Sequence, residues 1–404
     1  MKSVEAATES EHSPWTNFKP GRRFGKWRIK NKLDEGGFGQ VYRVEHIQER
    51  GRYAALKAEP NDIEGGSAIK LEIMIINFLN RDGDKPHVVK LFHAAKHKKF
   101  SYMIITLLGE NLRTLKVIIF YSFTFNSAEI SCPEEYLSVE TWSRIGVQCL
   151  YSIKLLHDIG FVHRDIKPAN FVMGHESDVE QARCVHILDF GLARNYAFEK
   201  SKGHWIARRA RRSAEFRGTM RYCSPSVHEK KEQGRKDDIW SLIYLLIEMH
   251  CGLPWQHERD KERLEIKKMN ISDKDLLCHF PEELHPIVSH LRNLNCYNRP
   301  DYTMIHKCFL KLIKRIDVSY DDRYDWESDL QVQYVLKHRK RRPEYEHAEE
   351  FFASDPIKVN GPPPAGLNMR RNKTAEDLEE MMAKDSSLLK ANIQRTQTRK
   401  TMNQ

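Results

Sequence analysis

The sequence predicts an α+β protein of two lobes, a small antiparallel β lobe with one helix followed by a larger, mainly α-helical lobe. Two observations lead to this fold class. Five short β-rich runs follow one another in residues 27–108, and one segment of helical periodicity interrupts them. From residue 139 to residue 317, apolar residues recur three or four positions apart, which is typical of helices.

In the small lobe, the runs are enriched in residues that favour strands, and turn-forming residues separate them. They cover residues 27–33, 41–46, 53–59, 88–95 and 101–108. Between the third and the fourth run, residues 68–79 carry Ile69, Ile73, Ile76 and Leu79 at helical spacing. This order predicts a five-stranded antiparallel sheet with one helix packed on it.

The larger lobe begins with a helix over residues 139–157, in which Trp142, Ile145 and Cys149 share one face. Residues 238–249 are apolar around most of the helical circumference. A helix of this kind is normally buried on all sides, so we expect it at the centre of the lobe.

The two ends of the chain differ in composition from the part between them. Residues 1–23 are polar and contain Pro14, Pro20 and Gly21, which predicts a flexible leader. After residue 318 come a basic run, a Gly-Pro break and an acidic run, so residues 319–404 are expected to be mostly disordered. The folded domain is thus expected at residues 24–318, with lobes at 24–108 and 109–318.

Composition narrows the class of partner. The formal net charge of +10 favours acidic or phosphorylated protein, nucleic acid or anionic lipid, but no recognition module supports nucleic-acid binding. The eight cysteines form no CxxC pair, which argues against a zinc site or a disulfide scaffold. With neither an N-terminal apolar signal nor an 18-residue apolar run, we expect a monomer in the cytoplasm, and also in the nucleus, without a membrane span.

Two segments of the small lobe carry residues suited to binding a triphosphate. Glycines between two strands let backbone amides approach phosphate oxygens, although such a turn is more often a plain hairpin. This loop comprises Leu33, Asp34, Glu35, Gly36, Gly37, Phe38, Gly39, Gln40 and Val41. Lys57 lies on an apolar strand after the loop, and Glu72 on the following helix is its natural ion-pair partner. The alternative is that both side chains are simply exposed to solvent.

The strongest signal lies in the larger lobe, where His163-Arg164-Asp165 leads into Lys167 and Asn170. Asp165 can accept a proton from an attacking hydroxyl, and Lys167 can stabilise a transferring phosphoryl group. Nineteen residues beyond Asn170, Asp189-Phe190-Gly191 follows an apolar run. Asn170 and Asp189 provide the oxygen ligands that magnesium prefers.

Taken in order, these motifs resemble the eukaryotic protein kinases over residues 24–318. Lys167 resembles the serine/threonine branch, and the segments LLGENL, GTMRYCSP and GRKDDIWS look like the casein kinase 1 group. Within that group, the sequence is most similar to the tau-tubulin kinase branch, through FRGT at 216–219 and LPW at 253–255. The resemblance implies the bilobal kinase fold, ATP and Mg2+ as cofactors, and transfer of the γ-phosphate to Ser or Thr.

Further roles follow from the resemblance alone. Ile105 matches the gatekeeper, and Leu107 matches the hinge whose backbone binds adenine. Asp238 matches the residue on the central helix that holds the catalytic loop, residues 163–170. Arg221 matches a position that helps bind an anion beside the active site. Together with the net charge, this implies acidic or pre-phosphorylated substrates.

One departure from the family pattern leaves activity open. Asp34 stands where the family usually has the first loop glycine, and a carboxylate there weakens ATP binding or slows turnover. An active enzyme is favoured because the other charged residues are present. The alternative is a catalytically weak pseudokinase that acts as a scaffold or binding module.

Two further segments allow more than one interpretation. The basic run at 208–212, followed by Ser213, is either a solvated loop, a docking site for acidic substrates or a phosphorylation site facing Arg164. Residues 116–131 are aromatic and β-rich and lengthen the connection after the hinge. They are either an insertion packed on the large lobe or the translation of an AT-rich retained intron.

Overall fold

The computed structural model describes residues 18–36, 39–62, 68–126 and 136–365. Within this part, the small lobe is built on a six-stranded antiparallel sheet with the order β1-β2-β3-β4-β6-β5. The strands are β1 (Arg23–Phe24), β2 (Trp27–Gly36), β3 (Gly39–His46), β4 (Tyr53–Pro60), β5 (Leu91–Lys96) and β6 (Phe100–Thr106). The expected five strands are all present, and β1 adds a short edge strand beside β2.

The core of the small lobe begins before residue 24, which corrects the expected length of the leader. Phe18 is buried against Phe24, Tyr42 and Phe100, with ring centroids 5.0–5.3 Å apart. Aromatic burial of this kind is strongly favourable, so one apolar side chain is enough to fix the segment on the sheet. Residues 1–17 lie outside the described part.

Helices form most of the larger lobe, and one helix packs on the small sheet. They are α1 (Ala68–Leu79), α2 (Leu112–Asn126), α3 (Val139–Asp158), α4 (Pro225–His228), α5 (Arg235–His250), α6 (Lys261–Asn270), α7 (Asp273–Leu276), α8 (His285–Arg292), α9 (Tyr302–Arg315), α10 (Asp329–His338) and α11 (Glu349–Ala353). Side-chain caps fix the starts of several helices, as in α3, where Ser138 Oγ accepts from the amide of Thr141 at 3.1 Å. α5 is buried along nearly its whole length, as its apolar circumference predicts.

Short strands in the larger lobe hold the loops on which the candidate site lies. They are β7 (Leu108–Asn111), β8 (Phe161–Val162), β9 (Phe171–Gly174), β10 (Val185–Ile187), β11 (Arg194–Asn195), β12 (Ala197–Ser201) and β13 (His204–Ala207). β9 pairs with β7 and β10, β8 with β11, and β12 with β13. The loop between β8 and β9 therefore lies beside the turn that follows β10.

The expectation of a mostly disordered tail from residue 319 is wrong for residues 319–361. Tyr324, Tyr345 and Phe352 are buried in the larger lobe, and the guanidinium of Arg144 donates to the carbonyls of residues 319, 322 and 323. Each aromatic side chain removes a large apolar surface from water, which fixes the polar chain between them. Residues 366–404 lie outside the described part, and so does the acidic run within them.

The β-rich interpretation of residues 116–131 is also wrong for the part that the structure describes. Residues 116–126 continue α2, and Ile119 is buried on the larger lobe. Lys116 Nζ donates to the carbonyl of Glu248 at 3.3 Å. The segment is thus helical up to Asn126, with contacts to the larger lobe at Lys116 and Ile119, and residues 127–135 lie outside the described part. In the described ranges, no helix is long and apolar enough to cross a membrane.

Candidate active site

The glycine-rich loop lies between β2 and β3, and β3 pairs with β4, which carries Lys57. Gly39 has φ +141°, and a Cβ at this position would lie 2.1 Å from the carbonyl oxygen of Ala58, so only glycine fits. Gln40 is buried and donates to Glu35 at 2.6 Å, while Val41 pairs with Lys57 across the sheet.

The remaining described residues of the loop belong to the hairpin of β2 and β3. Leu33 is exposed, Asp34 pairs with Val41, and Gly36 pairs with Gly39. Asp34 Oδ1 accepts from the amide of Glu35 at 2.8 Å, which fixes the carboxylate within the loop backbone. The predicted loop residues Gly37 and Phe38 lie outside the described residues.

Lys57 is the centre of an ion cluster between the two lobes. Its Nζ lies 2.5 Å from Glu72 of α1, 3.4 Å from Glu59 and 3.8 Å from Asp189. Burial works to lower the pKa of Lys57, but the attraction of Glu72, Asp189 and Glu59 outweighs it and raises this pKa. The ammonium therefore stays charged and is aimed between α1 and the larger lobe.

The catalytic loop brings Asp165, Lys167 and Asn170 together. Lys167 Nζ donates to Asp165 Oδ2 at 2.6 Å, and the Asn170 amide donates to the Asp165 carbonyl at 2.8 Å. Thr219 Oγ1 donates to Asp165 Oδ1 at 2.7 Å. Both carboxylate oxygens are thus oriented, and an oriented carboxylate is a group that can accept a proton from a hydroxyl.

Gly218 makes the approach of Thr219 possible. Its φ is +109°, and a Cβ there would lie 2.4 Å from the carbonyl oxygen of Arg164. The chain can pass this close to the catalytic loop only as glycine. A substitution at Gly218 would therefore displace Thr219 from Asp165.

Asp189 follows β10 in a left-handed conformation, with φ 64° and ψ 67°. Its carboxylate lies near Lys57, and the next residue, Phe190, is buried against His163 with ring centroids 5.6 Å apart. Because the Asn170 Nδ2 is used by the Asp165 carbonyl, the amide oxygen of Asn170 is the atom suited to a cation. One carboxylate and one amide oxygen fit Mg2+, which in phosphoryl-transfer sites takes few protein ligands and completes its shell with phosphate and water.

Asp238 of α5 holds the catalytic loop through hydrogen bonds to its backbone. Its carboxylate accepts from the amides of His163 at 2.7 Å and Arg164 at 2.8 Å, and it lies 2.9 Å from His157 Nε2. Burial favours the neutral acid, but the bonds from His157 and the neighbouring backbone hold the pKa of Asp238 below its ordinary value. The anchor lets Arg164 keep its left-handed φ of 69°.

The positions predicted to contact adenine lie where the two lobes join. Ile105 of β6 is buried and pairs with Ala55 and Leu91 in the small sheet. Leu107 is half-buried between the end of β6 and the start of β7. The backbone at Leu107 therefore connects the two lobes.

Arg221, the position predicted to bind an anion, is partly exposed and already bonded to groups of the protein. Its guanidinium donates to Glu248 at 3.1 Å and to the carbonyl of Gln256 at 2.8 Å, and Glu248 also accepts from Tyr222. A guanidinium already paired with a buried carboxylate offers less attraction to a second anion. The structure thus gives Arg221 a structural role that the sequence does not reveal.

A different arginine cluster lies in the activation segment, which we define as residues 189–225. Arg194 and Arg211 both contact Glu232, at 3.5 and 2.7 Å. Burial, followed by repulsion from Arg194 and Arg211, lowers the pKa of Arg164 to about 10. Two guanidinium groups thus share one carboxylate with a third guanidinium close by, which leaves an excess of positive charge in this part of the larger lobe.

This geometry agrees with comparisons of the whole sequence. A family model described as the protein kinase domain matches residues 27–313. The chain belongs to the protein kinase family. The bilobal fold predicted from the motifs is confirmed by this match and by the two lobes described above.

Several proteins of known sequence resemble this kinase. It is 40% identical over 296 residues to the Caenorhabditis elegans protein named inactive tau-tubulin kinase ttbk-6, covering 72% of this chain and 97% of the relative. A candidate serine/threonine-protein kinase of the same organism is 38% identical over 304 residues, or 75% of this chain and 82% of the relative. A candidate casein kinase I, also from C. elegans, is 32% identical over 253 residues, or 62% and 68%. These relatives confirm the predicted placement near the tau-tubulin kinase and casein kinase I branch.

Two residues of the kinase site were not assigned a role from the sequence. Glu59 lies two positions after Lys57 on β4, and alternation along a strand could have placed both on one face. Thr219 lies 54 positions from Asp165, and no spacing rule connects them. Only the glycine before Thr219 signals a close approach of two chain segments.

Proposed function

We propose that this kinase is catalytically active and transfers the γ-phosphate of ATP to serine or threonine in proteins, in the manner of the casein kinase 1 group. The observation that carries the proposal is the ion cluster in which Lys57 contacts Glu72 and faces Asp189 across the two lobes. Phosphoryl transfer depends mainly on positioning and on charge, and this pair must be in place for it. The ordered Asp165 carboxylate supplies the remaining group.

Each residue has a defined task in this reaction. The glycine-rich loop covers the phosphates, and Lys57 binds α- and β-phosphate oxygens. Asp165 orients the substrate hydroxyl and accepts its proton, while Lys167, 2.6 Å away, stabilises the charge on the transferring group. Mg2+ held by Asn170 and Asp189 would neutralise charge on the phosphates. Glu72 keeps Lys57 from turning away.

We further propose that the substrates are acidic or already phosphorylated proteins. Support comes from the excess positive charge of Arg164, Arg194 and Arg211 around Glu232, together with the net charge of the chain. Arg221 lends no support, because Glu248 already accepts from it. A peptide array that varies acidic and phosphorylated positions tests this preference, with Arg211→Ala compared with wild type. Equal preference in both proteins would remove the argument from this cluster.

Release of ADP by the purified full chain with Mg2+ and a mixed protein substrate tests the enzymatic proposal. Asp165→Asn is the matched control, because it keeps the size of the side chain and removes the proton acceptor. We expect the rate to fall by about 10²–10⁴-fold in this variant, the range typical of a lost general base. Equal rates from both proteins would refute the proposal.

A catalytically weak pseudokinase is the second candidate, and two observations favour it. Asp34 places a carboxylate in the glycine-rich loop, and one relative of this kinase is named inactive. Thermal unfolding in the presence of ATP and Mg2+ separates the candidates. Stabilisation by the nucleotide without ADP release would indicate a binding module, whereas release that depends on Asp165 would exclude it.

A further inference from the structure

A small hydrophobic cluster joins the C-terminal segment, defined here as residues 351–361, to the activation segment. Its buried members come from three parts of the chain that are far apart in sequence. They are Val162 before the catalytic loop, Tyr196, Ala197 and Ala207 of the activation segment, and Ile357 and Val359 of the C-terminal segment. Trp205 and Tyr297 pack around this cluster. The hairpin of β12 and β13 therefore packs against the C-terminal segment as well as against the rest of the larger lobe.

Arg235 at the start of α5 connects the same parts. Its buried guanidinium donates to the Val359 carbonyl at 2.6 Å, to the Tyr297 carbonyl at 3.2 Å and to the Tyr196 hydroxyl at 3.2 Å. Among the described residues, these acceptors include no carboxylate. A buried cation that depends on a few neutral acceptors loses much of its stabilisation when the shortest of these bonds is broken.

A second arginine fixes the C-terminal segment on either side of the cluster. The Arg299 guanidinium donates to the Ser354 carbonyl at 2.7 Å and lies 3.6 Å from Asp355. The backbone amide of Arg299 donates to Asn360 Oδ1 at 2.8 Å. The chain between these contacts is held at both ends, so Ile357 and Val359 face a defined surface of the lobe.

Contacts continue from this cluster to the catalytic loop. Tyr196 donates through its hydroxyl to the carbonyl of His157 at 2.7 Å, and His157 lies 2.9 Å from Asp238. Asp238 holds the amides of His163 and Arg164. A displaced Tyr196 would thus disturb the residue that orders the catalytic loop.

From these contacts we propose that Ile357 and Val359 are positioning residues, which hold the activation segment in the arrangement that accepts a protein substrate. The catalytic part of this inference rests on the proposed kinase activity, and the structural part does not. The C-terminal segment touches neither Lys57 nor Asp165 in the described contacts, so its effect is exerted through the hairpin and Tyr196.

The test compares two double variants of the full chain. Ile357→Ala with Val359→Ala opens the cluster, whereas Val332→Ala with Val335→Ala removes aliphatic groups of matched burial from α10, outside the cluster. Hydrogen exchange of residues 197–207 and steady-state kinetics are measured for both and for wild type. We expect exchange of these amides to be at least about tenfold faster in the first variant only, because the hairpin opens locally.

The kinetic readout distinguishes positioning from general damage. We expect the first variant to raise KM for the protein substrate by about five- to tenfold and to leave KM for ATP unchanged, because a misplaced binding surface acts on the substrate that it contacts. The conservative change Val359→Ile, made alone, should leave both readouts in the wild-type range. If the double variant does not fold, Val359→Ala alone gives the same readouts.

Equal exchange in both double variants, or an exchange increase spread over the whole lobe, would overturn the proposal. A rise in KM for ATP as large as that for the protein substrate would do the same. If wild type itself has no turnover, the proposed function fails, and exchange at residues 197–207 alone then decides whether the C-terminal segment holds the hairpin.

Discussion

Replacing Asp238 by asparagine removes one of the two oxygens that hold the catalytic loop. In the native kinase, Oδ1 accepts from Arg164 and Oδ2 accepts from His163 and faces His157. Asparagine keeps one acceptor and presents an NH2 group to a backbone N–H, so one buried amide is left without a partner. An unsatisfied buried donor costs about 1–3 kcal/mol and the lost charge about 1 kcal/mol more, which gives about 2–4 kcal/mol.

This loss can be converted into a melting temperature. The unit that ends at Gly361 has an unfolding entropy of about 0.8 kcal/mol/K, from about 2.1 cal/mol/K for each residue. We therefore expect Asp238→Asn to lower Tm by about 3–5 °C, measured by circular dichroism. Since Arg164 keeps a left-handed φ only while it is anchored, we also expect kcat to fall by about 10²-fold in the ADP-release assay.

Asp237→Asn is the matched control, because Asp237 is equally buried on the same helix and accepts from the amide of Gly234 instead of the catalytic loop. We expect a similar loss of Tm with a much smaller loss of kcat. The reasoning is refuted if Asp238→Asn lowers Tm but leaves kcat within about threefold of wild type, or if both variants lose kcat equally.

Three further predictions concern single charges. Glu72→Gln should lower kcat/KM by about 10–150-fold by removing the charge-assisted bond of 2.5 Å to Lys57, with ADP release as the assay and Glu72→Asp as the control that keeps the charge. Burial lowers the pKa of Lys268 from 10.5 to about 8, so between these pH values the folded kinase has lost a proton that the unfolded chain keeps. The free energy of unfolding of the kinase should therefore rise over this pH window by up to about 3 kcal/mol relative to that of Lys268→Met. Urea unfolding measures this difference, and both proteins keep Cys223, whose thiol lies 3.6 Å from Lys268 Nζ. Asp34→Asn should lower KM for ATP by about two- to fivefold, and a value unchanged from wild type would show that this carboxylate does not act on the phosphates.

The sequence predicts the elements and the charged residues of the site well because both leave local patterns. α1 has the expected bounds, residues 68–79, since apolar residues on one face and polar residues on the other repeat with the helical period. Asp165, Asn170 and Asp189 are found because rare combinations of residues occur in a fixed order. What the sequence does not contain is the distance between these residues.

There is a physical reason why the sequence did not predict the folding of residues 319–361. Tyr324, Tyr345 and Phe352 each bury one side chain on a surface formed by the larger lobe, and they do not share one helix or strand. Periodicity detects elements that pack through a repeated face, and it misses single anchors separated by polar chain. Composition is then a poor guide, because a polar segment with three buried aromatic residues reads as disordered.

The same limit applies to the anion-binding role predicted for Arg221. Whether an arginine is available depends on the carboxylates that fold against it, and Glu248 lies 27 positions away on α5. Net charge adds no information on this point, because it counts Arg221 and Arg211 alike. In the folded kinase, Arg221 has its own carboxylate, whereas Arg194 and Arg211 share Glu232 and Arg164 lies close to both. Any preference for acidic substrates should therefore respond to charge removal at Arg194 or Arg211 more than at Arg221, since only the shared carboxylate leaves positive charge in excess.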